Sequence, residues 1–137
     1  WFTGIESMKS KAITIVWMDS LAGCSVGLAM LALSPWLPTL YGLVPELYLF
    51  IAIANLSYGL FSGSLAMTAT RSGKLSRVGI NCLVLANSAW AIACALMLLA
   101  TWSDSTVFGT AHLGLEALFV GGLATVEFRL VRPQSIL

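Results

Sequence analysis

Apolar residues run along this chain in four long blocks, at 12–33, 47–70, 78–100 and 106–128. Each is at least as long as the roughly 20 residues a helix needs to cross the hydrocarbon of a bilayer. Between them stand short polar or helix-breaking links. "SPWLPTLYGLVPE" carries Pro35, Pro38 and Pro45, "RSGKLSR" carries three basic residues, and "TWSDS" carries Asp104. Proline stops helix propagation because it lacks the N–H and clashes with the preceding turn. The pattern predicts an all-α fold, a single domain over 1–137 of four transmembrane helices. Links this short make neighbouring spans antiparallel in an up-down bundle and leave no room for a second domain.

Composition sharpens that picture. Of 137 residues, 58% are hydrophobic and 9% charged, against about 25% charged in a soluble domain. Such a chain cannot cover a water-facing surface, so its first partner is the lipid bilayer. The net charge is +1, with no basic cluster of the kind that binds nucleic acid. The chain opens on Trp1, and a true start upstream of it is expected. The first block is too long for a signal-peptide core and has no small-residue cleavage pattern, so it reads as a mature span.

Every Lys and Arg falls on one side of this arrangement. Lys9 and Lys11 precede span one, Arg71, Lys74 and Arg77 separate spans two and three, and Arg129 and Arg132 follow span four. The opposite links hold Glu46 and Asp104. The positive-inside rule then puts both termini in the cytoplasm, and a bacterial inner membrane is the expected location. Trp36, Tyr41, Tyr48 and Trp102 gather at the outer ends, where an aromatic belt is expected.

Polar residues inside the blocks are the candidates for function. In "AHLGLEALFV", His112 and Glu116 are spaced i,i+4 and share one face of span four. Counted from the cytoplasmic ends, Asn81 lies roughly 5 Å deep, Asp19 roughly 10 Å, and Asn87 roughly 15 Å. On the same count Tyr58 and Glu116 lie about 20 Å deep, and Asn55 and His112 about 25 Å. Matching levels predict His112 beside Asn55, Glu116 beside Tyr58 or Asn87, and Asp19 beside Asn81. Glu127 is expected at the surface, paired with Arg71, Arg77 or Arg129. An acid at a helix centre costs a few kcal/mol even on lenient scales. Intramembrane acids therefore mark functional sites by default, whereas Asn serves mostly as interhelical glue.

Small residues supply the packing. Asp19, Gly23 and Gly27 recur every four residues in span one, as do Asn55, Gly59 and Gly63 in span two. Thr110, Gly114, Ala117, Gly121 and Thr125 form a third small stripe on span four, roughly opposite His112 and Glu116. Such ridges let backbones approach in lipid. Cys24, Cys82 and Cys94 lack a C-x-x-C spacing and read as buried, inert thiols. One histidine does not make a three-ligand zinc site or bis-His haem, so no metal is expected. No catalytic set of nucleophile and base is visible, and no cofactor is implied.

These observations point to a binding or accessory protein in the bilayer, with a homo-oligomer or a larger membrane complex as its setting. Its polar pocket would hold His112, Glu116, Asp19, Asn55, Tyr58 and Asn87 as ligand- or proton-binding groups, open toward the outer leaflet. The ligand would be small and largely apolar with a polar head: a lipid, a quinone or a hydrophobic amine. One alternative is a small proton-linked transporter using Asp19 and Glu116, although no span is broken in mid-membrane. Another is a membrane enzyme acting on a lipid or quinone, with His112 and Glu116 as acid and base.

Overall fold

The computed structural model describes residues 2–136. Its long helices are α1 (Phe2–Ala32), α3 (Pro45–Ser72), α4 (Arg77–Thr101) and α5 (Val107–Val126), with a short α2 (Leu37–Tyr41) in the proline-rich link. Four segments, Ser7–Ala32, Pro45–Ser72, Arg77–Thr101 and Val107–Gln134, are long and apolar enough to cross a membrane. Leu60, Leu85, Leu99 and Leu118 are among the many large apolar side chains left exposed around them.

The helices overrun the apolar blocks. Polarity ends the first block at Ala12, yet "TGIESMKSK" contains no proline and α1 starts ten residues earlier. Proline does not empty the first link of helix either. Pro38 lies in the first turn of α2 and Pro45 opens α3, where a missing N–H leaves no bond unmade. Gly42 and Gly73 end α2 and α3 in the left-handed region, at φ 66° and 67°, a conformation glycine adopts without strain. Beyond α5 the chain widens into a π turn (Glu127–Val131) and then tightens into a 3-10 turn (Arg132–Gln134).

The long helices form two halves, α1 on α3 and α4 on α5. The first half is closed by glycine. A methyl group at Gly59 would lie 2.6 Å from the backbone nitrogen of Cys24, and one at Gly23 would lie 2.8 Å from the carbonyl of Asn55. The two ridges thus meet backbone to backbone, the approach that small residues permit in lipid. The α4–α5 seam is looser: a methyl at Gly121 would stand 3.5 Å from the Ala91 methyl, in ordinary contact. The halves join where α3 touches α4 and where the π turn packs on α1.

Two apolar clusters fill the ends. One gathers Met30, Leu37, Tyr48, Ile51, Trp90 and Leu113; the other gathers Val16, Ala66, Leu75, Ile80, Leu83 and Val131. Along each long helix the buried polar residues Asp19, Asn55, Asn87 and Glu127 fall between members of the two clusters. At the first end the Thr106 amide donates to the Tyr41 carbonyl at 2.9 Å. At the other, the Ile136 amide donates to Leu75 and the Arg77 amide to Ile136, tying the tail to the α3–α4 link.

Trp36 and Trp102 are exposed, as a belt requires, but Tyr48 is buried and Tyr41 is half-buried. Both tyrosines face protein, Tyr48 in the core and Tyr41 on His112. Of the three free cysteines only Cys94 is buried; Cys24 is intermediate and Cys82 exposed.

Candidate functional site

Glu116 sits one turn after His112 on α5, between Leu113 and Val120 of the core face, and is 9% exposed. Its carboxylate is surrounded by donors from other helices. Oε1 accepts from Asn55 Nδ2 of α3 at 2.6 Å and from Trp90 Nε1 of α4 at 2.7 Å. Trp90 is in turn held between Tyr58 and Phe50, each with ring centroids 5.8 Å away. The Asn55 amide also donates to the Ile51 carbonyl at 3.0 Å, which fixes its orientation.

The second oxygen is less completely served. His112 Nε2 approaches Oε2 to 2.8 Å, the one ion pair among the described residues. The contact lacks the alignment of a hydrogen bond, however, and both atoms are buried with no other hydrogen-bond partner in the described structure. The far side of the imidazole is fixed, with Tyr41 Oη 3.2 Å from Nδ1. Burial, and secondarily the Glu116 carboxylate, push the Tyr41 phenol above its ordinary pKa. The Glu116 carboxylate, which only accepts, lies beside Nε2 and favours the ring hydrogen there; Nδ1 then accepts from the Tyr41 hydroxyl. Tyr41 reaches this place because Gly109 admits its backbone: a methyl at Gly109 would lie 2.5 Å from the Tyr41 carbonyl oxygen.

A second polar group lies toward the Leu75 end. Asn87 Nδ2 of α4 donates to Glu127 Oε2 at 3.0 Å and stands 3.5 Å from Asp19 Oδ1 of α1. Glu127 is fully buried and Asp19 is 6% exposed. Their other oxygens, Glu127 Oε1 and Asp19 Oδ2, have no hydrogen-bond partner.

One cavity of about 240 Å³ joins much of this. Asp19, Asn55, Tyr58, Asn87, His112 and Glu116 all line it, together with Trp90 and an apolar remainder that includes Val26, Phe119 and Val120. Leu115 and Phe119 lie in its wall and are also well exposed, so the mouth opens beside α5 on the outside of the bundle.

The six candidates thus share a cavity, but several of their expected partners differ. Asn55 binds Glu116, and His112 binds Tyr41 instead of Asn55. Glu116 is bonded to neither Tyr58 nor Asn87; Trp90 takes that role. Asn81 accepts from Arg132 Nε at 2.7 Å, and Asn87 is the amide beside Asp19. Glu127 pairs with no arginine. It extends the buried stripe of Glu116, Val120 and Ala124 at helical spacing, just where the π turn begins, and its side chain is buried near Asn87 and Asp19. Trp90, Tyr41 and Glu127 were missed by depth counting. Trp90 is one turn beyond Asn87 on α4, and that spacing was the available signal. No group of three or more His, Cys, Asp or Glu among the described residues is arranged to hold a metal ion.

No protein-family model matches the chain, and no curated protein or solved structure shows significant similarity to it.

Proposed function

We propose that this chain is a small integral membrane protein that binds, within the bilayer, a mostly apolar molecule whose head group donates a hydrogen bond. The observation that carries this reading is the pair of unaligned buried atoms, Glu116 Oε2 and His112 Nε2, on two residues that line a largely apolar cavity. Buried polar atoms are normally partnered, and an exception in a cavity invites a ligand. The pair offers an acceptor and a donor side by side, which suits an amine or a hydroxyl. A quinone, which only accepts, would leave Oε2 unserved. About 240 Å³ is below the roughly 300–1,000 Å³ of drug-sized sites, so the occupant is small or is the end of a longer molecule.

In this reading the helices run antiparallel with both termini cytoplasmic, because all basic residues then lie on one side. The His112 end of the cavity lies in the outer leaflet. Thiol labelling of cysteines placed at Ser72 and Ser103 in a cysteine-free background should give opposite sidedness. Labelling of both from the same side contradicts the topology.

The ligand reading is tested by isothermal titration in lipid nanodiscs, with empty discs subtracted. Octylamine and octanol should bind and methyl octyl ether should not. Glu116→Gln should weaken octylamine by at least about tenfold, since a hydrogen bond to a charged group contributes roughly 1.5–3 kcal/mol. Equal binding of all three probes, unaffected by Glu116→Gln, overturns it. A second reading, proton-linked transport of such a molecule, is favoured by one observation: Asp19 and Glu116 line the same cavity.

A further inference from the structure

Asp19 and Glu127 reach one amide from two different elements, α1 and the π turn after α5. Asn87 Nδ2 lies within 3.5 Å of an oxygen from each. That amide nitrogen carries two hydrogens, one for each carboxyl group. Nothing else in the surroundings compensates two negative charges. No Lys, Arg or His nitrogen comes within 4.0 Å of either carboxyl among the described residues, where the His112–Glu116 contact is the one ion pair. The groups facing the pair are Asn87 from α4 and Ser62 from α3, and the Ser62 hydroxyl also points at the Tyr58 and Gly59 carbonyls. The nearest basic residues in sequence, Arg129 and Lys11, are exposed and form no ion pair with either acid; Arg132 holds Asn81 and covers Phe128, and Arg77 holds the Ser135 carbonyl.

Both remaining oxygens, Asp19 Oδ2 and Glu127 Oε1, are buried and lack a donor. Two carboxylates crowded without a cation cannot both stay ionised at low cost, and a single proton relieves both the repulsion and one missing hydrogen bond. We infer that Asp19 and Glu127, bridged by Asn87, form a proton-binding pair that holds one proton in common.

This inference stands whether or not the cavity takes a ligand. Glu127 continues the buried α5 stripe of Glu116, Val120 and Ala124, so the proton ties α1 to the end of α5 where the two halves of the bundle meet. Asp19 and Asn87 also line the cavity, which puts the proton beside it.

Infrared difference spectroscopy on the full chain in nanodiscs tests this directly. The wild type should show a protonated-carboxyl C=O band at pH 7 that is unchanged in Glu116→Gln and lost in both Glu127→Gln and Asp19→Asn. In each of these two variants the new amide supplies the donor that the proton supplied. Absence of the band from the folded wild type at pH 7 overturns the inference, and that measurement depends on no variant. So does a band that vanishes only with Glu116→Gln. Loss of the band on adding sodium at constant ionic strength would identify a metal-cation site and equally overturn it.

Discussion

The two polar groups of this bundle contain the same chemistry in opposite balance. At Glu116 one carboxyl meets donors from Asn55 and Trp90 and a close contact from His112. At Asp19 and Glu127 two carboxyls share a single amide, Asn87. Burial is similar in the two places, so burial alone does not distinguish them; the count of donors does. A carboxylate with enough donors is stable as an anion, and a ligand that brings one more donor completes it. Carboxyls with too few donors are completed by a proton. On the proposed readings the first group recognises a ligand and the second binds a proton, and equivalent substitutions should then differ in size and even in sign.

The largest effect should follow removal of the acceptor from the donor-rich group. Glu116→Ala strands the Asn55 amide and the Trp90 indole N–H in the core. At roughly 1–3 kcal/mol for each unsatisfied group, the loss should reach about 2–6 kcal/mol, read as a marked fall in melting temperature in detergent. Glu116→Gln keeps an acceptor for both donors and should fold normally. If Glu116→Ala melts like the wild type, the donors around Glu116 do not hold the helices together. Next in size is Asn87→Leu, which removes the shared donor and should cost about 1–3 kcal/mol. Glu127→Leu in the same background should recover part of that loss, because an unpaired buried acid is removed as well.

The sign should then reverse. Glu127→Gln and Asp19→Asn each add a donor and delete an acid, so stability should hold or rise, by at most about 1 kcal/mol, read as an unchanged or higher melting temperature. A fall as large as that of Glu116→Ala would erase the distinction between the two groups. A comparably small effect of the ordinary sign belongs to Tyr41→Phe. It removes one half-buried hydrogen bond to His112 Nδ1, so its stability cost should be about 0.5–1.5 kcal/mol.

The same contrast explains what could be read from residue order. Helix number and the small-residue ridges follow from composition and spacing, because an apolar block of spanning length and a glycine at every fourth position constrain structure locally. The six cavity residues were legible because acids and amides are conspicuous in an apolar run. Their pairings were not. Depth counting fixes a level only to within a turn, and the azimuth of each helix is set by contacts between helices. Asn55 accordingly turns to Glu116, and Asn87, not Asn81, turns to Asp19. Glu127 illustrates a different limit. It lies among arginines in sequence, which suggests a surface partner, yet it continues the buried stripe of Leu113, Glu116, Val120 and Ala124 at helical spacing, and that spacing takes it into the core. Tyr41 stood in a link that looked like a membrane-surface belt, and it reaches His112 because Gly109 is small enough to receive its backbone.

The central claim is that the cavity beside Glu116 receives a donor-bearing, mostly apolar molecule. A high-resolution density map of the protein extracted directly into lipid discs tests it most directly. The account predicts elongated non-protein density in the cavity, its polar end within hydrogen-bonding distance of Glu116 Oε2 and His112 Nε2. Density for isolated water alone at those two atoms, with Leu115 and Phe119 closed over an otherwise empty cavity, would contradict it.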